Sequence, residues 1–594
     1  VVNLDIEIEA GRNGGGDVAK EPGADRLGPL HRERAWQRLA EEQFDLVVIG
    51  GGVVGAGAAL DAATRGLSVA LIEARDLASG TSSRSSKMFH GGLRYLEQLE
   101  FGLVAEALHE RELAMSTLAP HLVRPLPFLF PLQHRVWERP YIAAGILLYD
   151  RMGGAKSVPA QKHLTRAGAL RMAPALRRDA LVGGIRYFDT VVDDARHTMT
   201  VARTAAHYGA VVRTSTQAVG FLREADRVSG VHLRDAETGA ETRVRAHAVI
   251  NATGVWTDQI QALTGERGRF RVTASKGVHI VVPRDRIVAE AAIILRTEKS
   301  VLFVIPWGSH WIIGTTDTEW NLDLAHPAAT RADIDYILEH VNRVLVTPLT
   351  ADDIEGVYAG LRPLLAGESD ETSKLSREHA VARVAPGLVA IAGGKYTTYR
   401  VMAADAVDAA AVDLTGRIAD SVTARVPLLG ADGYFALVNQ VDQVAERYGL
   451  HPYRVRHLLG RYGALVHEVL ALAEDRPELR EPLPGAPDYL QVEVLYAVIC
   501  EGALHVEDVL ARRTRISIEY AHRGADCADR VAALMAPVLG WDAATAAAEA
   551  ANYIARVEAE RQSQTREDDD SADALRAAAP DARTALTDLP ARSR

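Results

Sequence analysis

Apolar positions run almost unbroken through residues 44–49 (Phe44, Leu46, Val47, Val48, Ile49) and again through residues 69–72 (Val69, Ala70, Leu71, Ile72), which end at Glu73. Short runs of this kind, rich in β-branched residues, predict parallel strands buried on both faces. Between them lie Gly50-Gly51-Gly52-Val53-Val54-Gly55, then the small residues Ala56, Gly57, Ala58, Ala59, Ala62 and Ala63, with Gly66 as a helix stop. The pattern predicts strand, tight turn, helix, strand. Gly50-x-Gly52-x-x-Gly55 is the dinucleotide spacing in its proper place. Gly50 permits the turn, Gly52 lets the backbone approach a pyrophosphate, and Gly55 lets the helix pack on the strand. The helix N-terminal N–H groups then face the phosphates. Glu73, 23 residues after Gly50, is placed to accept a ribose 2′-OH, which argues against a 2′-phosphate and hence against NADP. This stretch alone does not separate FAD from NAD.

Further along, the periodicity predicts helices over 100–118 and 193–208, a strand over 210–219 and a hairpin within 231–250 that ends at Asn251-Ala252-Thr253-Gly254. Strands are predicted over 277–283, 292–295, 301–306 and 311–314, then a helix over 333–345. A strand over 388–391 runs into Gly393-Gly394-Lys395 and a helix reaching 412. The Ser/Thr loop 80–87 follows the ribose-binding strand, so its hydroxyl and N–H groups are placed to meet cofactor phosphates. Pro125, Pro127, Pro131 and Pro140 predict irregular chain within 120–190. From about 425 helical patterns dominate, jointed at Pro477, Pro482, Pro484 and Pro487. Residues 1–40, rich in Gly, Glu and Arg, are expected to be a flexible extension, and 563–594, with Glu567-Asp568-Asp569-Asp570, a disordered tail.

Length and composition narrow the class. The 594 residues allow two to four domains, and 48% apolar and 24% charged residues are globular values. A net charge of −11 disfavours nucleic acid as a partner. Cys500 and Cys527 are the only cysteines, too few for a disulfide framework, and they fit a reducing compartment. No Cys-x-x-Cys metal motif occurs, and no metal is expected. No apolar run approaches the ~20 residues of a membrane-spanning helix, and no signal-peptide pattern opens the chain. The expectation is a soluble protein that at most lies on a membrane surface, with residues 141–149 as a candidate contact.

The opening unit, the Ala252-Thr253-Gly254 strand end about 200 residues on and the Gly393-Gly394 turn together resemble the glutathione-reductase-like flavoproteins, which points to FAD. Four motifs then narrow the resemblance: 90–97 (His90-Gly91-Gly92-Leu93-Arg94), Gly314-Thr315-Thr316-Asp317, Leu361-Arg362-Pro363-Leu364, and 393–400 (Gly393-Gly394-Lys395-Tyr396-Thr397). Together they resemble FAD-dependent, respiratory glycerol-3-phosphate dehydrogenase over about 41–560. Residues 506–514 resemble that family's C-terminal signature.

The resemblance implies an α/β fold: a discontinuous FAD domain (41–120, 185–265, 350–412), a mixed-sheet substrate domain (121–184, 266–349) and a C-terminal all-helical domain (425–562). It implies that Gly50, Gly52, Gly55, Glu73, Thr81, Ser82, Ser85, Ser86, Lys87, His90, Gly91, Thr253, Gly254, Gly393, Gly394 and Thr397 hold FAD. Arg94, Arg362 and Lys395 would hold glycerol 3-phosphate, with Arg377 as a further phosphate contact. The implied reaction passes a hydride from C2 to flavin N5, giving dihydroxyacetone phosphate, with quinone as the electron acceptor. The implied location is cytoplasmic, on the inner face of the cell membrane, and a homodimer is left open. Guanidinium forks match a phosphate dianion, and the reaction needs a base. His279 is the first choice, since neutral imidazole accepts protons near neutral pH; Lys395 is the second. A buried, hydrogen-bonded structural histidine is the competing reading of His279. Two rivals remain: an oxidase that hands electrons to O₂, and an inert flavin-binding interaction protein.

Overall fold

The computed structural model describes residues 23, 25–92, 100–134, 138–152, 158–265, 271–297, 301–365 and 379–590. Two sheets carry the site. In the first, strands His379–Ala385, Leu388–Gly393, Glu241–Asn251, Gln43–Ile49, Val69–Ile72 and Val211–Arg213 lie side by side in that order. The Gln43–Ile49 strand pairs in parallel with both of its neighbours, Val48 meeting Ile250 on one side and Leu71 on the other. The strand order reverses at this point, and open α/β sheets bind ligands at such a place. One face of the sheet is covered by helices Val53–Thr64, Asp194–His207 and Tyr399–Ala411 through Val48, Leu71, Ile250, Met199 and Tyr399. Full burial of each large apolar side chain stabilises the fold by about 1.5–3 kcal/mol.

The other face is covered partly by helix Pro29–Glu41, whose Ala35 and Leu39 pack with Phe44, Val47 and Ile72. The last dozen residues of the expected flexible extension are therefore structural, because an apolar stripe there completes the second face of a doubly covered sheet. Of the rest of that expected extension, residues 1–22 and 24 lie outside the described residues.

The second sheet has ten strands. Val272–Pro283 is flanked by Gly356–Leu365 and by His310–Gly314 and Thr318–Trp320. The sheet continues through Val301–Trp307, Ala292–Arg296, Val123–Leu132 and Gly183–Val192 to Met88–Phe89. Two expected domain limits shift here. Gly356–Leu365 belongs to this sheet and not to the FAD domain, and the limit at 184/185 falls inside a strand. The proline-rich region is also more regular than expected. Pro125, Pro127 and Pro131 all sit in the Val123–Leu132 strand. They share one parity, so their missing N–H groups fall along one strand edge and leave the other free to pair. Helix Glu138–Met152 follows.

The C-terminal domain has its own core, with Tyr496, Val455, Leu470 and Met535 buried together. It docks through buried ion pairs. Arg513 Nη1 and Nη2 donate to Asp76 at 2.6 and 2.7 Å, and Arg512 Nε donates to the same carboxylate at 2.5 Å. Arg515 reaches Asp193 at 2.7 Å and also meets Asp194. These arginines are thus buried bridges between domains and do not form a surface patch.

The expected disordered tail, 563–594, is ordered over residues 563–590; residues 591–594 lie outside the described residues. Asp568 caps helix Asp569–Ala577 by accepting from Ser571 N at 2.8 Å. Beyond the helix, Leu589 packs against the core beside Ala218 and Val231. Composition suggested disorder, but the charges of this segment are answered by partners far away in sequence. Among the described residues, no helix is long and apolar enough to cross a membrane, and no cluster of potential metal ligands occurs.

Candidate active site

A cavity of about 800 Å³ runs between the two sheets, within the size range of ligand and cofactor sites. At one end lie Gly50, Gly52 and Glu73, and beside them Thr216, Gln217 and Ala218. Gly50 holds φ +111°, and a Cβ there would stand 2.7 Å from the Ala252 carbonyl oxygen, so the turn demands glycine. Gly52 opens the helix with no capping side chain of its own; Ser82 Oγ accepts from Val53 N at 2.9 Å, and the helix start lies at the cavity, where its N-terminal end favours an anion. The half-buried Glu73 carboxylate accepts from Gly51 N at 2.6 Å and Arg75 N at 2.8 Å. Burial is the main cause that raises its pKa.

At the other end the second sheet presents its side chains. Register places Ser275 opposite Arg362 and His279 opposite Tyr358, with Gly277 facing Gly360 between them. Residues 275, 277 and 279 therefore share one face of their strand. A Cβ on Gly277 would come within 2.6 Å of Arg362 Nη2, and one on Gly314 within 2.3 Å of His279 Cδ2. Both glycines clear the space these side chains occupy. Arg362 Nη2 donates to Thr315 Oγ1 at 3.0 Å and to the Thr316 carbonyl at 3.1 Å, and Nη1 lies 3.3 Å from Asp317 Oδ1. The Gly314-Thr315-Thr316-Asp317 turn thus aims the guanidinium.

His279 is 3% exposed. Its ring stacks on Tyr358 at 4.7 Å with 10° between planes, and Nε2 meets Ser86 Oγ at 2.9 Å. Burial first, then the charges of Arg362 and Lys87, push its pKa well below the ordinary 6.5. The imidazole is therefore neutral at physiological pH. Lys395, Gly393, Gly394 and Thr397 line the same end of the cavity, with His90 beside them.

The structure brings together Gly50, Gly52, Glu73, Thr81, Ser82, Ser85, Ser86, His90, Thr253, Gly254, Gly393, Gly394 and Thr397 on the cavity wall, together with His279, Arg362 and Lys395. Two expected cofactor residues point elsewhere. Lys87 is fully buried, with Nζ 2.9 Å from Asp194 and 3.0 Å from the Ser83 carbonyl; it anchors the loop to the domain junction. Gly91 donates its N–H to Tyr149 Oη at 2.8 Å and abuts Leu108. Gly55 acts through packing, since a Cβ there would lie 1.9 Å from Gly50 O. Several wall hydroxyls already have protein partners: Ser85 Oγ donates to Asp194 at 2.7 Å and Thr81 Oγ1 to the Leu361 carbonyl at 2.6 Å. Arg94 and Arg377 lie outside the described residues.

Sequence reasoning missed Tyr358, Trp256, Gln217 and the segment 586–589, all at the cavity wall or directly behind it. None of them sits in a motif. The one available signal was alternation in the Gly356–Leu365 strand, which puts Tyr358, Gly360 and Arg362 on one face.

The cavity fits an extended dinucleotide: a glycine turn and a helix start for phosphates, a half-buried carboxylate for a ribose, and polar side chains with an oriented cation at the far end. Comparisons agree. The family described as FAD dependent oxidoreductase matches residues 45–402, and the C-terminal domain of alpha-glycerophosphate oxidase matches 421–546. The chain is 74% identical over 560 residues to glycerol-3-phosphate dehydrogenase 2 of Mycobacterium tuberculosis (strain H37Rv), covering 94% of this chain and 96% of that one. It is 36% identical over 549 residues to the mitochondrial glycerol-3-phosphate dehydrogenase of Homo sapiens, covering 89% and 74%. The structure of glycerol-3-phosphate dehydrogenase from Bacillus halodurans complexed with FAD superposes with a TM-score of 0.74 at 29% identity, covering 90% and 97%. The chain belongs to the FAD-dependent glycerol-3-phosphate dehydrogenase family.

Proposed function

We propose that this protein oxidises sn-glycerol 3-phosphate at C2 to dihydroxyacetone phosphate. The observation that carries the reading is the pairing of an oriented guanidinium with a neutral imidazole on neighbouring strands of one sheet, at the end of the cavity away from Glu73. Bound FAD supplies the hydride acceptor. Arg362 holds the substrate phosphate with its fork, and Lys395 adds a second cation, which turns C2 toward the flavin end of the cavity. His279 takes the C2 hydroxyl proton at Nε2 through Ser86 Oγ, the hydroxyl it meets on the cavity wall. Its depressed pKa keeps it neutral and ready to accept. Arg94 and Arg377 are assigned to the phosphate by resemblance.

Electrons then pass to a membrane quinone, and the protein sits on the inner membrane face. Helix Glu138–Met152 supports this placement. It exposes Tyr141, Leu147 and Leu148 at 52%, 46% and 39%, with Arg151 exposed nearby, while Ile142, Ile146 and Tyr149 hold it to the core. A second reading is transfer to O₂. It is favoured by one observation: the helical domain matches a family named for an oxidase, so that domain does not decide the acceptor.

An anaerobic titration with glycerol 3-phosphate tests the first step. The oxidised flavin band is expected to bleach with this substrate and not with glycerol, and a flavin that stays oxidised sinks the substrate assignment. Oxygen uptake with peroxide formation in the absence of added quinone would favour the oxidase.

A further inference from the structure

Past its helix, the C-terminal segment crosses the cavity. Leu586, Thr587, Asp588 and Leu589 all line it, together with Gly50, Glu73 and Gln217. They meet it at the end marked by Glu73, since Thr216 N donates to the Glu73 carbonyl at 2.8 Å and Ser215 N to the Arg75 carbonyl at 2.7 Å. The segment is pinned at two places. Upstream, Arg75 donates to Asp581 at 2.6 Å, and the buried Arg583 bridges Ser215 Oγ at 2.8 Å and the Asp508 carboxylate at 3.1 Å. Over the cavity, the Gln217 amide closes a pair of hydrogen bonds with the Thr587 backbone. Nε2 donates to Thr587 O at 2.7 Å, and Oε1 accepts from Thr587 N at 2.9 Å and from its hydroxyl at 3.0 Å. Leu589, partly buried, then packs against the core of the FAD sheet.

These contacts have an asymmetry. The segment from 584 to 590 belongs to no sheet or helix. Ala585 N donates to the Ala236 carbonyl at 3.2 Å; past it, the contacts over the cavity are one amide pair, one hydroxyl and one partly buried apolar side chain among the described residues, so 586–589 can lift while both sheets, and the Asp508–Arg583 anchor, stay intact. We infer that residues 586–589 form the outer wall of the adenosine half of the FAD site and act as the strap that must open for FAD to enter or leave. The inference rests on FAD occupying this cavity. It adds Gln217, Thr587 and Leu589 as determinants of cofactor retention.

The test is FAD release from the purified holoenzyme, followed by the rise of free-flavin fluorescence after high dilution into flavin-free buffer. A chain ending at Ala585 keeps Asp581 and Arg583 and loses only the wall. Its release is expected to be at least tenfold faster than that of the full chain. An unchanged rate in a truncated protein that still melts cooperatively overturns the inference. Should that truncation fail to fold, full-length Thr587→Pro, which removes the N–H given to Gln217, decides by the same criterion. Thermolysin, which cuts on the N-terminal side of leucine, provides an independent reading within the strap itself. In the apoprotein, cleavage at the Ala585–Leu586 bond is expected to be faster than in the holoenzyme, and equal protection in the two forms counts against a strap coupled to FAD. A full-length protein that carries no flavin would instead indict the cofactor reading itself.

Discussion

Replacing Arg362 with alanine tests the substrate end most directly. The guanidinium is held by Ser275 Oγ, Thr315 Oγ1, the Thr316 carbonyl and Asp317 Oδ1 and lines the cavity with its side chain 24% exposed, so a substrate phosphate exchanges with some of these partners. A hydrogen bond to a charged group contributes about 1.5–3 kcal/mol, and a fork can make two to one phosphate. Asp317 already offsets part of the charge and the site is partly open to water, so a net loss of about 2–4 kcal/mol is the reasonable range. At 1.36 kcal/mol per decade this is a fall in kcat/KM of roughly 30- to 900-fold. Arg362→Lys should recover part of it, because an ammonium restores charge but not the planar fork. The assay is anaerobic stopped-flow bleaching of the flavin against glycerol 3-phosphate concentration, with FAD content measured on the same preparation. An alanine variant with full FAD content and unchanged kcat/KM refutes the assignment. A variant whose activity falls only in proportion to its FAD content would move Arg362 to the cofactor.

His279→Gln is expected to slow flavin reduction by about 100- to 10,000-fold while leaving substrate affinity nearly intact, read from the limiting rate and its half-saturation; a large change in affinity alone would make His279 a binding group. Gly277→Ala keeps every charged group but sets a Cβ 2.6 Å from Arg362 Nη2, so it should reproduce a large part of the Arg362→Ala defect with normal FAD content. Asp76→Ala leaves Arg513 buried without its carboxylate and should lower stability by about 3–5 kcal/mol in denaturant unfolding; a loss under 1 kcal/mol would show that the junction does not depend on this pair. Acid should destabilise the protein: burial, the largest cause in each case, lowers His31 to about 4 and His121, His197, His326 and His457 to about 3. The unfolded chain then binds more protons below pH 6.5, so stability present above 6.5 is lost as pH falls toward 4, by at most about 1.4 kcal/mol per histidine per pH unit. His505 has the opposite sign. Burial and Arg583 lower its pKa, but Glu237 and Glu549 prevail and raise it to about 9, so its contribution is full below 6.5 and lost as pH rises through 9. A Tm that stays flat from pH 7 to 5 would contradict the acid limb.

How much of this was readable from the chain depends on how local each cause is. The Gly50–Glu73 unit was readable because its strand, turn and helix are encoded within thirty residues, and its ligand contacts are largely backbone. The Arg362–His279 pair is different. Each residue sits in an ordinary apolar strand, and what makes them a site is the register that sets Ser275 against Arg362 and His279 against Tyr358. No local rule supplies that pairing, so only the resemblance brought the two together. Lys87 shows the converse error: it lies in the right loop, but its ammonium is claimed by Asp194 across more than a hundred residues. The tail was misread for the same reason. Its acidic run has the composition of a solvated segment, yet Asp569 pairs with Lys276 on the substrate strand, Asp581 with Arg75 beside the ribose carboxylate, and Arg583 with Asp508. Composition measures the charge a segment carries but not the charge waiting for it elsewhere. A run that looks self-repelling in isolation can therefore be the complement of several cations on two other domains, and here that complementarity lays the segment across the cavity.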